Sequence, residues 1–277
     1  MPILQIAGYV IMGAAVGGFG TLVGAGGGFL LIPALLLLFP AMQPATVTAI
    51  SMTTVFFNSA SGSVAYARMR RVDFKTGALF ALVMLPGSVV GTLLTEKIPR
   101  DMFNMIFGVC MVLFAAVIVV KSRIGDRSAP YGAPGKFRAR RIFTDKDGRQ
   151  TAFSFNLLAG MTVSLFVGFL SGFLGIGGGI IHVPVLVFLG FPAHFATATS
   201  HFVLAGSSLI SLIIHLASGA LRSDYVLAFS LAGGAVVGAQ LGARFSKKVK
   251  GSVLMFLLAV ALVMAGVRIF LSGMGLF

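Results

Sequence analysis

Charge is what this chain has least of. Of its 277 residues, 10% are Asp, Glu, Lys or Arg, while 57% are hydrophobic. A soluble chain of that length needs far more charge to cover its surface, so a soluble globular protein is excluded. Acids are scarcer still: there are seven, Asp73, Glu96, Asp101, Asp126, Asp145, Asp147 and Asp224, and all lie outside the apolar runs. A carboxylate relay for protons or sodium within the runs is therefore not expected. Cysteine occurs once, as Cys110 in an apolar run, which excludes an internal disulfide. The chain holds no His-Glu-x-x-His and no Gly-x-Ser-x-Gly, two signatures of hydrolytic enzymes. No cofactor, no metal and no enzymatic activity are expected. The weighed alternative is an intramembrane metal site on His182, His201 and His215, which lacks the carboxylate that catalytic zinc often takes. No basic stretch precedes Ile3, so the first apolar segment is expected to stay in the protein as a membrane helix.

Long apolar runs are what the chain has instead. Residues 79–94, 102–120, 193–216 and 253–271 are each near the roughly 20 residues that cross a bilayer as a helix. The expected class is an all-α polytopic membrane protein.

The net charge of +14 raises the question of nucleic acid. Position answers it. Nine of the 21 Lys and Arg lie in one stretch, Lys121, Arg123, Arg127, Lys136, Arg138, Arg140, Arg141, Lys146 and Arg149. Arg68, Arg70, Arg71 and Lys75 make a second cluster, and Arg244, Lys247, Lys248 and Lys250 a third. Short basic loops between apolar runs are what the positive-inside rule produces, so lipid rather than nucleic acid is the expected neighbour.

The apolar segments fall into two sets of five. The first is 3–23, 28–39, 45–67, 75–95 and 102–121; the second is 153–174, 179–190, 193–217, 225–244 and 252–271. The expected domains are a first transmembrane repeat over 1–121, a solvated basic linker over 122–150 with some hairpin character at Asp147-Gly148, and a second repeat over 151–277. Ordered landmarks support the repeat. Gly24-Ala25-Gly26-Gly27-Gly28 and Pro33 match Gly175-Ile176-Gly177-Gly178-Gly179 and Pro184, 151 positions on. Ser51 matches Ser200 after a slip of two, and Gly87 and Gly91 match Gly238 and Gly242 in the original register.

The basic bias swaps sides between the halves. Loop 68–75 carries four bases and its counterpart 218–224 only Arg222, whereas 96–101 is balanced and its counterpart 244–250 carries four bases. Matching loops then face opposite sides. The expected architecture is two inverted-topology repeats, each a Gly-broken helix hairpin plus three transmembrane helices, with 8–10 helical segments in all. Loops 68–75, 121–150 and 244–250 are expected in the cytoplasm, with both termini outside. The segment 28–39 is too short to span alone at roughly 18 Å, so the first two segments of each half form either a re-entrant hairpin or two tilted passes.

A helix that begins at a glycine break inside a membrane carries free N–H groups and the positive end of its dipole. Such an end binds anions, and glycine lets the ligand approach the backbone. Gly26, Gly27, Gly28, Gly177, Gly178 and Gly179 are therefore candidate binding residues for a small anion. Ser51, Asn58, Ser200, His201 and Gln240 join them as polar groups in apolar surroundings. Hydroxyls in membrane helices often bond only to their own preceding turn. If protons are coupled, His182, His201 or His215 is the expected carrier, and His194 is expected at the interface. Gly87, Gly91, Gly238 and Gly242 are expected to serve close helix packing. Gly178→Leu is accordingly expected to abolish function and Gly87→Ala only to weaken it.

The run from Gly168-Phe169-Leu170-Ser171-Gly172 through Gly175-Ile176-Gly177-Gly178-Gly179, Val183-Pro184 and Ala196-Thr197-Ala198-Thr199-Ser200 resembles the TauE/SafE sulfite exporter family of bacterial and archaeal permeases. The first glycine cluster is similar to that family's other repeat. The resemblance implies a secondary permease in the cell (inner) membrane that carries sulfite, an organosulfonate or a related organic anion by alternating access. An uncoupled anion channel is the alternative, and a homo-oligomer is compatible with all of this. Thr21 stands where the second copy has Gly172, which implies unequal contributions from the halves.

Overall fold

The computed structural model describes residues 3–124, 137–144, 150–246 and 251–276. Five helices come first: α1 (Ile3–Val23), α2 (Gly28–Leu38), α3 (Pro44–Arg68), α4 (Phe74–Thr95) and α5 (Arg100–Ile124). Strands β1 (Arg138–Thr144) and β2 (Gln150–Asn156) follow, and then α6 (Leu157–Leu174), α7 (Gly179–Leu189), α8 (Ala193–Ser218), α9 (Tyr225–Phe245) and α10 (Gly251–Gly273). Six of the helices are long and apolar enough over their described residues to cross a membrane, namely α1, α4, α5, α6, α8 and α9. The protein is an all-α multi-pass membrane protein apart from one hairpin.

The slip of two residues in the repeat has a simple origin. The chain from α2 to α3 uses residues 39–43, and the chain from α7 to α8 uses residues 190–192. The first connection is two residues longer, so α3 and α8 are offset from the register set by the glycines. The register returns at Phe74 and Tyr225, where α4 and α9 begin.

The halves interleave. Helix α1 packs on α9, α4 on α6, α5 on α10 and α3 on α8. Around these run α3 on α9, α4 on α8, α2 on α3 and α7 on α8. Exchanging α1–α5 with α6–α10 turns α5 on α10 and α3 on α8 into themselves and each of the other pairs into another of the set. Glycine makes the closest pairs. A β-carbon on Gly87 or Gly91 of α4 would run into the Leu165 or Phe169 carbonyl of α6. One on Gly234, Gly238 or Gly242 of α9 would run into the Val10, Ala14 or Gly18 carbonyl of α1. The helices touch backbone to backbone there, as small-residue membrane interfaces do.

The linker of residues 122–150 leads from α5 to the second half. Its described part is an antiparallel hairpin with Arg141 opposite Phe153. Helix α6 starts at Leu157, four residues later than apolarity alone suggests, because Gln150–Asn156 pairs with Arg138–Thr144 as a strand. Phe153 and Phe155 are buried, with Phe191 4.3 Å from Phe155 and 5.0 Å from Phe153 between ring centroids. Arg141 Nε donates to Asp73 Oδ2 at 2.9 Å, which ties the hairpin to the start of α4. The Asp147-Gly148 turn and the bases Arg127, Lys136, Lys146, Arg149, Lys247, Lys248 and Lys250 lie outside the described residues.

Candidate functional site

The two glycine breaks meet. A β-carbon on Gly28 would lie 2.8 Å from the Ile176 carbonyl, and one on Gly179 would lie 2.5 Å from the Gly24 oxygen and 2.6 Å from Ala25 Cα. Each short helix thus begins against the broken backbone of the other half. All residues of 23–29 and 171–180 are buried. Gly26, Gly27, Gly177 and Gly178 have φ of 75°, 90°, 80° and 70°, a region that costs other residues roughly 1–2 kcal/mol each. That conformation turns the chain sharply enough to start α2 and α7 directly after α1 and α6.

The turns leave main-chain donors over. Helix α2 takes its first bonds from Leu30 and Leu31 N–H to Gly27 O, and α7 takes them from Ile181 and His182 N–H to Gly178 O. The N–H groups of Gly28, Phe29, Gly179 and Ile180 precede those bonds, so the helix offers them no acceptor. Four amides from two converging dipoles therefore sit in one buried place, without a Lys or Arg among them.

Helix α3 holds both turns. Ser51 Oγ donates to Gly175 O at 2.7 Å, and Asn58 Nδ2 donates to Gly26 O at 3.1 Å. Thr21 Oγ1 donates to Asn58 Oδ1 at 3.2 Å and orients the amide. Of the hydroxyls on α3, Thr53, Thr54 and Ser63 bond back to their own helix, whereas Ser51 reaches the other half. Two matched apolar side chains, Val55 of α3 and Leu204 of α8, fill the space between the turns. A β-carbon on Gly26 would lie 3.2 Å from Val55 Cγ1 and 3.7 Å from Leu204 Cδ1.

Three buried polar atoms near this place have no hydrogen-bond partner: Ser59 Oγ, Ser171 Oγ and His201 Nε2. Ser59 Oγ faces Gly26 at 3.2 Å from a β-carbon placed there, and Ser171 Cβ faces Gly178 at 3.1 Å likewise. His201 Nδ1 is spent on Thr197 O at 3.1 Å, while its ring lies on Gly62 of α3, one turn from Asn58. Orphaned buried polar groups are costly and rare, so three around one pair of turns call for an explanation.

The other candidates go elsewhere. Ser200 Oγ pairs with His182 Nδ1 at 3.2 Å, and His182 Nε2 pairs with Ser164 Oγ at 3.1 Å. His182 is thus held between two hydroxyls, one residue behind Ile181 and beneath Phe80. Gln240 donates to Ser61 O at 2.9 Å and to Ser61 Oγ at 2.8 Å, which clamps α9 to α3 away from the turns. His215 lies near the far end of α8 beside Thr48 and Glu96. His194 is exposed at the start of α8. Among the described residues no three His, Cys, Asp or Glu side chains converge as metal ligands would, and His182, His201 and His215 occupy three separate environments. Sequence reasoning singled out neither Ser171 nor Ser164 as a candidate site residue. Both are Ser in the α6 stripe Ser164-x-x-x-Gly168-x-x-Ser171-Gly172, and that spacing was the available signal.

The family model for the sulfite exporter TauE/SafE matches residues 9–269. The chain belongs to the TauE/SafE family. Among its relatives, the probable membrane transporter protein YunE of Bacillus subtilis is 30% identical over 271 residues, covering 95% of this chain and 97% of the relative. A probable membrane transporter protein, ORF9, of a Sinorhizobium species is 27% identical and covers 94% and 91%. YfcA of Escherichia coli, also named a probable membrane transporter protein, is 25% identical and covers 86% and 80%. No solved structure matches this TauE/SafE chain.

Proposed function

We propose that the chain is a secondary transporter of a small anion, with sulfite, an organosulfonate or a related organic anion as its substrate class. The observation that carries this reading is the meeting of two dipole-bearing helix starts in one buried place. An anion there accepts from Gly28, Phe29, Gly179 and Ile180 N–H and from Ser59, Ser171 and His201, so no buried Lys or Arg is needed. Family membership supports the substrate class.

Two inverted-topology repeats provide the cycle. The exchange-symmetric packing and the swapped basic loops support that architecture. In the conformation described here Val55 and Leu204 stand between the turns, so substrate enters when α3 and α8 slide apart. That favours a carrier with alternating access over an uncoupled channel, whose path stays open. The linker and loop 68–75 face the cytoplasm on this reading, and 96–101, 218–224 and both termini face out across the cell membrane.

Flux of labelled sulfite and methanesulfonate into proteoliposomes tests the function. Saturable uptake with counterflow is expected, and uptake no greater than in empty vesicles overturns the reading. Topology is tested by Ser223→Cys and Arg70→Cys in a Cys110→Ala background. An impermeant thiol reagent applied outside cells labels the first and spares the second if the repeats are inverted.

A further inference from the structure

At the far end of α8 a buried nitrogen without a partner points at an acid. His215 is fully buried and its Nδ1 makes no hydrogen bond. Glu96 Oε1, just past the end of α4, is 3.8 Å from that Nδ1, and the Glu96 side chain is 25% exposed. The other ring nitrogen, Nε2, is 3.4 Å from Thr48 Oγ1. The Thr48 hydroxyl is within 3.0 Å of both Pro44 O and Ala45 O, and its proton is directed there. Its oxygen is left to accept from His215, so Nε2 carries the hydrogen and Nδ1 the lone pair. A lone pair then faces a carboxylate oxygen 3.8 Å away. A proton shared between them removes that conflict.

Among the described residues, the helices packed against α8 bring no other charged side chain to this end. Helix α3 brings Thr48 and has no charged residue before Arg68, and α4 carries Lys75 at its opposite end. Helices α6 and α7 bring His182 alone, already bound by Ser164 and Ser200. On α8 itself, His201 lies four turns back, at Gly62. Beyond Glu96, Arg100 is held by Met42 O and Leu36 O, Lys97 lies with Ile98 and Pro99 in the connection to α5, and Arg222 folds over Gly219. On its inner side Thr48 touches the second turn, since a β-carbon on Gly175 would lie 2.8 Å from Thr48 Cγ2. Ser51, one helical turn on, is bonded to Gly175 O.

We propose that Glu96 and His215 form a proton-binding site that couples proton and anion movement in the same direction. A proton arriving on the Glu96 carboxylate passes to Nδ1 and gives an imidazolium beside a carboxylate; release reverses the step. Loaded, the pair has no net charge. Unloaded, it carries one negative charge behind the second glycine turn and repels an anion held there. Proton and anion therefore bind together.

The coupling rests on the anion reading, so the test has an arm that does not. Methanesulfonate is the flux probe because its charge is constant across the pH range used. In wild-type proteoliposomes an inside-alkaline gradient raises its accumulation about fivefold or more over vesicles without a gradient. In Glu96→Gln and His215→Asn that rise disappears while methanesulfonate counterflow at equal pH persists. A wild-type response to the gradient in either variant overturns the proposal. The independent arm is NMR of histidine labelled at Cε1, in protein with four histidines and the His215 signal identified by its loss in His215→Asn. That signal titrates, and Glu96→Gln lowers its proton affinity about tenfold. A His215 signal indifferent to Glu96→Gln overturns the site. Absent methanesulfonate and sulfite flux with the NMR result intact overturns the anion reading alone. Glu96 is partly exposed, so its variant keeps the fold even if His215→Asn does not.

Discussion

Three positions in the second half hold buried histidine where the first half holds something else. His182 answers to Leu31, His201 to Met52 and His215 to Tyr66, each in the register of its helix. The reverse also occurs: Thr21 and Asn58 in the first half answer to Gly172 and Ser207. Backbone and helix contacts follow the repeat while these polar side chains do not. The glycine turns, the αL caps at Gly27 and Gly178 and the small-residue interfaces must match for two halves to interleave. On the proposed reading the polar groups answer to the substrate and to whatever drives it, and a single central place needs only one set. In the first half Asn58 fixes the turn; in the second the fixing comes from Ser51, also on α3. One helix of one half thus governs both turns, and α7 and α8 supply the histidines.

The sharpest way to break the comparison is at the turns. Gly28→Leu and Gly179→Leu each push a side chain into the opposite break, and both are expected to abolish anion flux. Flux per folded protein, with folding checked by size exclusion, is the measurement. A transporter that tolerates one and not the other has a single working turn, and the matched geometry is then inherited rather than used.

Much of this was legible in the residues. Every helix outside the linker starts and stops within a few residues of where apolar runs and glycines put it, because in lipid a helix must satisfy its own backbone. The place of the breaks was legible too, since three adjacent glycines allow the positive φ that the turns adopt. Partners across the interface were not. Nothing in the order of residues says that Ser51 reaches Gly175, that Gln240 goes to Ser61, or that Glu96 sits by His215. Those contacts depend on which helices interleave, and helices far apart in sequence supply them. The reach of β2 to Asn156 was hidden because Phe153 and Phe155 read equally well as the start of a membrane helix.

Next in size are the packing glycines, Gly87 and Gly238. A methyl group there meets the Leu165 carbonyl, and the counterpart Gly238 meets the Ala14 carbonyl. Neither contact is a flexible chain end, so the helices must part. Both Gly87→Ala and Gly238→Ala are expected to cost about 1–3 kcal/mol, as overpacking does, and to lower the melting temperature in detergent by similar amounts. Unequal shifts would show that α1 on α9 and α4 on α6 are not equivalent joints.

Asn58→Ala against Ser207→Ala comes third. Asn58 bonds to Thr21 and to Gly26 O, so its loss strands two buried groups and is expected to cost about 1–3 kcal/mol together with most of the anion affinity. Ser207 bonds only to Leu204 O in its own helix, at 3.2 Å, and its loss is expected to cost about 0.5 kcal/mol or less. Thermal shift with and without sulfite separates the two effects.

Arg141→Ala is the smallest change and asks whether the hairpin is latched or merely packed. Arg141 donates to Asp73 Oδ2 at 2.9 Å and to Thr76 Oγ1 at 3.0 Å, with its own side chain 23% exposed. Removing it does not strand Asp73. The carboxylate keeps Thr76 N at 3.1 Å and Thr76 Oγ1 at 2.5 Å as donors. The hairpin keeps Phe153 and Phe155 in the aromatic cluster with Phe191 and Phe195, and that burial is the larger attachment. The expected cost is therefore that of a partly exposed ion pair, about 1 kcal/mol or less, and it falls further in high salt. Proteolysis within the hairpin, followed with time in detergent, measures it. Cleavage at the wild-type rate means that the aromatic cluster alone seats the hairpin on α7 and α8. Faster cleavage with an unchanged melting temperature means that the Arg141 pair sets how often the hairpin lifts from the start of α4.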